Sequence, residues 1–178
     1  KCKYWNDMGH PEYRINVNLS VVQLLQNDIV ERIRTVLEET KMRPENLTLE
    51  VTESLAINDI GRMKKVLSKI KELGALISLD DFGTGNSSLS LALELPVDEL
   101  KVDMSFIKDI EQKPQNQAMV QSIVDYANRT NTETCIEGIE NQEVSDYIHQ
   151  FGATWYQGYF YSKPVPIDQF ETLLDVPH

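Results

Sequence analysis

Basic residues, cysteine and histidine are all scarce in this chain of 178 residues. The chain has 17 lysine and arginine residues against 28 aspartate and glutamate residues, so its formal net charge is −11. Proteins that bind duplex nucleic acid or anionic membranes need a basic face, so the deficit of positive charge argues against both partners. An anionic ligand would need positive charge from another source, and metal ions are the obvious one.

The cysteines, the apolar segments and the histidines argue against a cysteine metal site, a membrane span and a zinc site. Cys2 and Cys135 lie far apart without the spacing of a metal-binding pair, which fits a reducing compartment. No apolar run approaches the ~18 residues of a membrane span, so we expect a cytoplasmic domain, which leaves open a parent protein tethered to a membrane. The histidines His10, His149 and His178 fall outside the predicted strand ends, which argues against zinc.

Short apolar segments alternate with amphipathic segments along the chain, and one domain over residues 1–178 accounts for its length. The apolar segments predict strands at Arg14–Leu19, Leu47–Thr52, Ala75–Asp80, Leu100–Met104, Glu133–Ile139 and Thr154–Phe160. The amphipathic segments predict helices at Asn27–Glu39, Asp59–Leu73, Ser87–Glu94, Gln115–Asn128, Gln142–Phe151 and Asp168–Leu174. Strands and helices that alternate in this way favour right-handed βαβ units and a parallel sheet.

Polar and apolar residues alternate within the predicted strands, and this pattern favours one α/β architecture. Asn16 and Asn18 share one face of their strand, and Glu50 lies on the polar face of the next. A doubly wound open sheet is covered on both faces, so its strands would be nearly all apolar. Polar residues toward the C-terminal strand ends instead indicate the interior mouth of a TIM-like (β/α) barrel.

The number of predicted strands is too small for a complete barrel of this kind, which has eight. The chain also opens with what looks like the end of a helix, over Lys1–Trp5. We therefore expect an N-terminally incomplete domain, a barrel lacking its first strands. An open barrel edge leaves backbone groups unpaired and invites association.

Side chains suited to chemistry lie near the C-terminal ends of the predicted strands. They are Asn18, Glu50, Asp80, Asp81, Lys101, Glu137 and Gln157. Carboxylates that meet at one mouth repel one another unless cations intervene, and Mg²⁺ and Mn²⁺ prefer such hard oxygen ligands. The adjacent Asp80 and Asp81 indicate two ions, and a pair of ions ~3.5–4 Å apart suits cleavage of a phosphodiester.

Simpler explanations exist for each of these residues taken singly. An acidic residue at a strand end is commonly a helix cap or a solvated carboxylate, and Lys101 with Asp103 could form an interior salt bridge. Carboxylates beside an interior lysine also suit a magnesium enzyme that abstracts a proton next to a carboxylate. Repetition over successive strands favours a metal site, and the paired aspartates favour phosphodiester cleavage.

Six motifs occur in order along the chain. They are Asn16-Val17-Asn18-Leu19-Ser20, Leu49-Glu50-Val51-Thr52-Glu53-Ser54, Asp80-Asp81-Phe82-Gly83-Thr84-Gly85-Asn86-Ser87-Ser88-Leu89, Leu100-Lys101-Val102-Asp103, Glu137-Gly138-Ile139-Glu140 and Gln157-Gly158-Tyr159. From about Trp5 to its C-terminus the chain thereby resembles the EAL-domain family of bacterial cyclic di-GMP phosphodiesterases. The resemblance implies a modified TIM barrel that hydrolyses cyclic di-GMP to linear pGpG with two Mg²⁺ or Mn²⁺ ions.

The resemblance also implies roles for individual residues. Asn18, Glu50 and Asp80 would ligate one ion, and Asp80 would bridge to a second ion that Asp81 also binds. Lys101 would hold or polarise the metal-bound water, and Glu137 would coordinate a metal or act as the general base. The remaining assignments are a substrate or water network at Asp103 and Gln157, and a loop Phe82–Ser88 that contains Gly83 and Gly85 and is anchored by Glu140.

In the family that loop links metal binding to dimerisation, so we expect a homodimer. We also expect an attached sensory or diguanylate cyclase-like domain in the parent protein. The Glu-Ala-Leu motif that names the family, whose glutamate is a metal ligand there, is absent from this sequence, which begins downstream of the position of that motif. Three further departures are Met104, Asn86 and Ile136, where a basic residue, tyrosine and alanine are usual. The missing glutamate motivates a second hypothesis, a catalytically inactive cyclic di-GMP receptor or protein-interaction module.

Overall fold

The computed structural model describes residues 1–52, 60–85 and 88–174. Within them a single six-stranded sheet follows chain order, and every neighbouring pair of strands is parallel. Its strands are β1 Ile15–Asn18, β2 Leu47–Thr52, β3 Leu76–Phe82, β4 Glu99–Val102, β5 Glu133–Ile136 and β6 Trp155–Tyr156. The sheet curls into a half-barrel, and the C-terminal ends of its strands form one rim.

Helices connect the strands. The α-helices are α1 Cys2–Asp7, α2 Val21–Leu24, α3 Ile29–Thr40, α4 Ile60–Glu72, α5 Ser88–Glu94, α6 Pro114–Thr130, α7 Gln142–Ile148 and α8 Ile167–Leu173. Short 3₁₀ turns occur at Pro44–Asn46, Met104–Phe106, Ile110–Gln112 and His149–Phe151. In the parts of the chain that the structure describes, no helix is long and apolar enough to cross a membrane.

The core lies between the helices and the apolar face of the sheet. Helix α3 buries the stripe Ile29, Ile33 and Leu37, as its spacing of four predicts. The apolar members of the strands are also buried, for example Ile77 and Leu79 in β3. Burial of each such side chain stabilises the fold by about 1.5–3 kcal/mol. The alternation in the strands therefore separates a face that packs against helices from a face that carries polar groups.

The predicted strands and helices occur in the predicted order, whereas the short helix α2 was not predicted. Strand β3 runs on to Phe82 rather than ending at Asp80, and other strands end earlier than predicted. Strand β5 stops at Ile136 rather than Ile139, because Gly138 has a φ of 77° and turns the backbone away. Strand β4 stops at Val102, because the Asp103 carboxylate accepts a hydrogen bond from the Ser105 N–H and caps a 3₁₀ turn. Strand β6 covers only Trp155–Tyr156 of the predicted Thr154–Phe160.

Candidate active site

The Lys101 ammonium lies at the centre of the rim. Its Nζ is 3.0 Å from Glu50 Oε1, 2.9 Å from Asp80 Oδ1 and 2.8 Å from Glu137 Oε1. The acids come from β2, β3 and the segment after β5, and Lys101 itself lies in β4. Because the strands are parallel, residues far apart in sequence reach one point at the same edge of the sheet. Only 5% of the Lys101 side chain is exposed.

One buried cation thus faces three carboxylates. Burial alone would lower the pKa of Lys101, but the hydrogen bonds and charges of its acidic neighbours outweigh burial and raise that pKa, so the ammonium stays protonated. Burial raises the pKa of Glu137, against the opposing effect of Lys101. Among the residues that the structure describes, three acidic side chains thus share one ammonium, in a medium that screens charge poorly.

A bulge in β3 accounts for the use of two consecutive aspartates. The pairing of β3 with β4 shifts register between Leu79 and Phe82, and Asp81 has a φ of 56°, in the left-handed region. Side chains normally alternate between the faces of a strand, so adjacent residues would point to opposite sides. Here Asp80 contacts Lys101, while Asp81 lines the pocket that contains Glu137.

That pocket, of about 300 Å³, opens at the rim. It is lined by Asp81, Asp103, Met104, Glu137, Gly138, Glu140, Gln157, Gly158 and Tyr159. Two glycines give it its shape: a Cβ at Gly138 would lie 2.4 Å from Met104 Cβ, and one at Gly158 would lie 2.0 Å from the Ile139 carbonyl oxygen. Larger residues at either position would displace the surrounding backbone or Met104, and so alter the pocket wall.

The structure brings most of the predicted site residues together at the rim. Glu50, Asp80, Glu137 and Lys101 are in contact, and Asn18 is an exposed neighbour of Glu50 in the β1–β2 register. The remaining predicted residues line the pocket at the rim or lie close to its lining residues along the chain. They are Asp81, Asp103, Gln157, Glu140, Gly83 and Gly85.

The predicted anchoring of the loop by Glu140 stays a prediction. Residues 86–87 of the loop Phe82–Ser88 lie outside the described residues. Gly83 has a φ of 98°, and a Cβ there would meet the Phe106 ring at 2.9 Å, so the start of the loop requires glycine. Glu140 itself is exposed.

Two polar residues of the barrel interior were not among the predicted site residues. The Asn16 side-chain amide donates a hydrogen bond of 2.8 Å to Glu50 Oε1. Glu99 is buried and accepts a hydrogen bond of 2.6 Å from the Ser78 hydroxyl, and burial raises its pKa. The alternation could have indicated both, since Asn16 lies two residues before Asn18 and Glu99 lies two residues before Lys101.

The donors at the rim are of the kind that hard divalent cations prefer, carboxylate oxygens with the Asn18 amide nearby. Asp80 Oδ1 is buried and receives no well-directed hydrogen bond from the described residues, although Lys101 Nζ is 2.9 Å away. Among the residues that the structure describes, no three His, Cys, Asp or Glu side chains already have a spacing that fits a metal ion. The carboxylates contact Lys101 instead.

A parallel (β/α) half-barrel with an acidic, lysine-centred rim at its C-terminal strand ends defines a TIM-like α/β protein whose site lies where such barrels act. The family model described as "EAL domain" matches residues 2–164. The chain belongs to the EAL domain family, and its fold is the TIM-like barrel of that family without some of the strands.

Relatives with assigned names are similar over nearly the whole chain. The bifunctional diguanylate cyclase/cyclic di-GMP phosphodiesterase MucR of Pseudomonas aeruginosa is 35% identical over 169 residues, 95% of this chain and 25% of the relative. The cyclic di-GMP phosphodiesterase PdeR of Escherichia coli is 35% identical over 167 residues, 94% of this chain and 25% of the relative. This chain therefore spans about a quarter of the length of these curated relatives.

Solved structures agree with the family assignment. The PaMucR phosphodiesterase in complex with c-di-GMP superimposes with a TM-score of 0.88 at 34% identity, over 94% of this chain and 68% of that structure. At 34% identity the two proteins share sequence as well as fold, which agrees with membership of one family.

Proposed function

We propose that this chain is the catalytic part of a cyclic di-GMP phosphodiesterase that hydrolyses its substrate to linear pGpG with two Mg²⁺ or Mn²⁺ ions. The observation that carries the proposal is the contact of Glu50, Asp80 and Glu137 with the buried Lys101 ammonium. Support also comes from relatives of the same family that are named cyclic di-GMP phosphodiesterases.

The donor set fits the proposed ions. Asn18, Glu50 and Asp80 would hold one ion, and Asp80 with Asp81 would hold the other, with Glu137 beside them. The buried Asp80 Oδ1 without a well-directed hydrogen bond supports this assignment, since a metal ion would satisfy it. When bound, such ions would supply stabilisation of phosphate oxygens and activation of water.

The residues of the chain would bind, orient and move protons. Lys101 holds Glu50, Asp80 and Glu137 in fixed positions through an ammonium that stays protonated. Glu137, whose pKa is raised by burial, is suited to accept a proton from water, because a base works best when its pKa approaches the working pH. Gln157 and Tyr159 line the mouth, where they would contact the dinucleotide.

Hydrolysis of cyclic di-GMP by the full chain in the presence of Mg²⁺ tests the proposal, with pGpG measured by chromatography. We expect Glu50→Gln and Asp80→Asn each to lower turnover about 100-fold or more, because each removes a charged oxygen ligand. Asp125→Asn is the matched control, since Asp125 is exposed on α6, away from the rim residues, and accepts a hydrogen bond from the Gln121 side-chain amide. Wild-type turnover in both rim variants would show that the metal assignment is wrong.

A non-catalytic receptor is the second candidate. Its supporting observation is that the described rim carboxylates contact Lys101 and form no ready group of three acids with metal spacing. Calorimetry with cyclic di-GMP separates the candidates: binding without pGpG supports the receptor, and binding with pGpG supports the enzyme. The absence of both would leave a protein-interaction module.

The proposal includes a homodimer and a parent protein with an attached sensory or diguanylate cyclase-like domain. The bifunctional name of MucR and the short span of this chain on its relatives support the attached domain. Sedimentation of the parent protein, with and without cyclic di-GMP, would test the homodimer.

A further inference from the structure

A hydrogen bond between neighbouring strands holds one carboxylate of the rim from below. Asn16 Nδ2 in β1 is 2.8 Å from Glu50 Oε1 in β2, and Lys101 Nζ is 3.0 Å from the same oxygen. Two donors from different strands thus converge on Oε1 of Glu50. We propose that Asn16 is a positioning residue that turns Glu50 Oε2 toward the divalent cation, an inference that rests on the proposed function.

The geometry explains why a second donor matters. The last torsion of a glutamate side chain is broad, so a carboxylate held by one donor can rotate about its own axis. Lys101 alone would not prevent this rotation, because its ammonium is shared with Asp80 and Glu137. The amide of Asn16 approaches Oε1 from β1, and together the two donors define the plane of the Glu50 carboxylate.

Glu50 and Asn16 differ in exposure, and this difference allows an effect of Asn16 on ion binding to be distinguished from an effect on stability. Glu50 is 7% exposed, whereas Asn16 is an exposed side chain. Truncation of an exposed amide opens no cavity in the core, so the fold does not depend on it. Partners that hold a metal ligand in orientation, by contrast, typically change metal affinity 10–100-fold when removed. Asn16 is therefore expected to affect ion binding more than folding.

The test is Mn²⁺ binding to the full chain without nucleotide. Calorimetry, or the paramagnetic resonance signal of free Mn²⁺, measures the affinity. We expect Asn16→Ala to weaken Mn²⁺ binding about tenfold and to leave the thermal midpoint within about 2 °C of wild type. Asn16→Gln keeps the amide donor on a side chain one methylene longer, and we expect it to recover most of the affinity.

Val17→Ala is the matched control, because Val17 is the next residue of the same strand and its side chain points to the other face. Its Mn²⁺ affinity should equal that of wild type. Unchanged Mn²⁺ affinity in Asn16→Ala, or an equal loss in Val17→Ala, would overturn the positioning role.

Turnover separates this inference from the proposed function. If Asn16 acts through Glu50, the activity lost in Asn16→Ala at low Mn²⁺ should return as Mn²⁺ approaches saturation. A wild-type chain that hydrolyses cyclic di-GMP and binds Mn²⁺ no better than Asn16→Ala refutes the Asn16 inference alone. A wild-type chain that neither binds Mn²⁺ nor hydrolyses cyclic di-GMP refutes both.

Discussion

The two ends of the half-barrel both contain ion pairs, but their charges balance differently. At the base, below the N-terminal strand ends, Arg14 donates two hydrogen bonds to Glu133, of 2.7 and 3.0 Å. The Trp155 indole N–H donates a third to the same carboxylate, at 2.9 Å. One cation therefore meets one anion there, whereas at the rim Lys101 meets three carboxylates.

The pKa shifts follow this difference. Hydrogen bonds from Arg14 hold the pKa of Glu133 below its ordinary value, so the base favours the ionised carboxylate. At the rim, burial raises the pKa of Glu137 despite its contact with Lys101. A balanced pair adds to stability, whereas an excess of buried negative charge is unfavourable for folding and attracts an external cation. The contrast predicts that the base pair contributes to stability, and it agrees with the proposal that the rim carries the chemistry.

Removal of the rim cation should have the largest effect on the fold. Lys101→Met leaves the buried Glu50 and the half-buried Asp80 and Glu137 without their ammonium, and we expect the free energy of unfolding to fall by about 3–5 kcal/mol. Urea unfolding in the presence of a chelator measures this change. Lys113→Met is the control, since the Lys113 ammonium is exposed, pairs with the exposed Asp109 and donates a hydrogen bond to the Lys108 carbonyl oxygen. A Lys101→Met protein as stable as wild type would contradict the importance of the unbalanced cluster.

Disruption of the base pair should have a smaller effect, confined to stability. Arg14 and Glu133 side chains are 28% and 33% exposed, so solvent screens their attraction, and Arg14→Met should lower the free energy of unfolding by about 1 kcal/mol. Hydrolysis of cyclic di-GMP should match wild type at a temperature where both proteins are folded. A loss of turnover like that of Asp80→Asn would show that the base and the rim are coupled.

The smallest expected effect is a change in how the free energy of unfolding depends on pH. Urea unfolding of variant and wild type at several pH values, with a chelator present, measures it. The raised pKa of Glu137 means that the folded protein keeps this proton longer than the unfolded chain. Its contribution to stability is therefore present at low pH and is lost as pH rises above the ordinary value of 4.5 and through the folded pKa. Glu137→Gln should make stability fall less steeply with pH in that range.

The lowered pKa of Glu133 has the opposite consequence. Its contribution to stability is present above 4.5 and is lost as pH falls through the folded pKa. Glu133→Gln should therefore lose stability near neutral pH and approach wild type in acid. If both substitutions change the slope of unfolding free energy against pH in the same direction, the distinction between rim and base is lost.

The fold was largely predictable because its signals are local. The bounds of β2 were predicted to the residue, and the buried stripe of α3 follows from spacing alone. The alternation in the strands also placed Glu50, Asp80 and Lys101 on the interior face. The early end of β5 was missed, because it depends on the positive φ of Gly138, which leaves no mark in the hydrophobic pattern.

The sequence predicted which residues form the site better than it predicted which of them contact one another. Asp81 was predicted to act beside Asp80, but the bulge and the φ of 56° that turn it toward the pocket arise from the pairing of β3 with β4. The Asn16–Glu50 hydrogen bond joins residues that lie 34 positions apart. The Arg14–Glu133 pair spans 119 positions. No pattern within one strand specifies partners at such separations.

The sequence alone determined which residues lie on the polar face of each strand, because alternation is a property of the extended backbone itself. It also determined the acidic character of the molecule and its family. Only the tertiary structure decided that one ammonium is shared by three carboxylates at one end while an arginine and a glutamate neutralise each other at the other. The physical reason is that curvature and register of the whole sheet set the distances between strands, and those distances decide which charges meet.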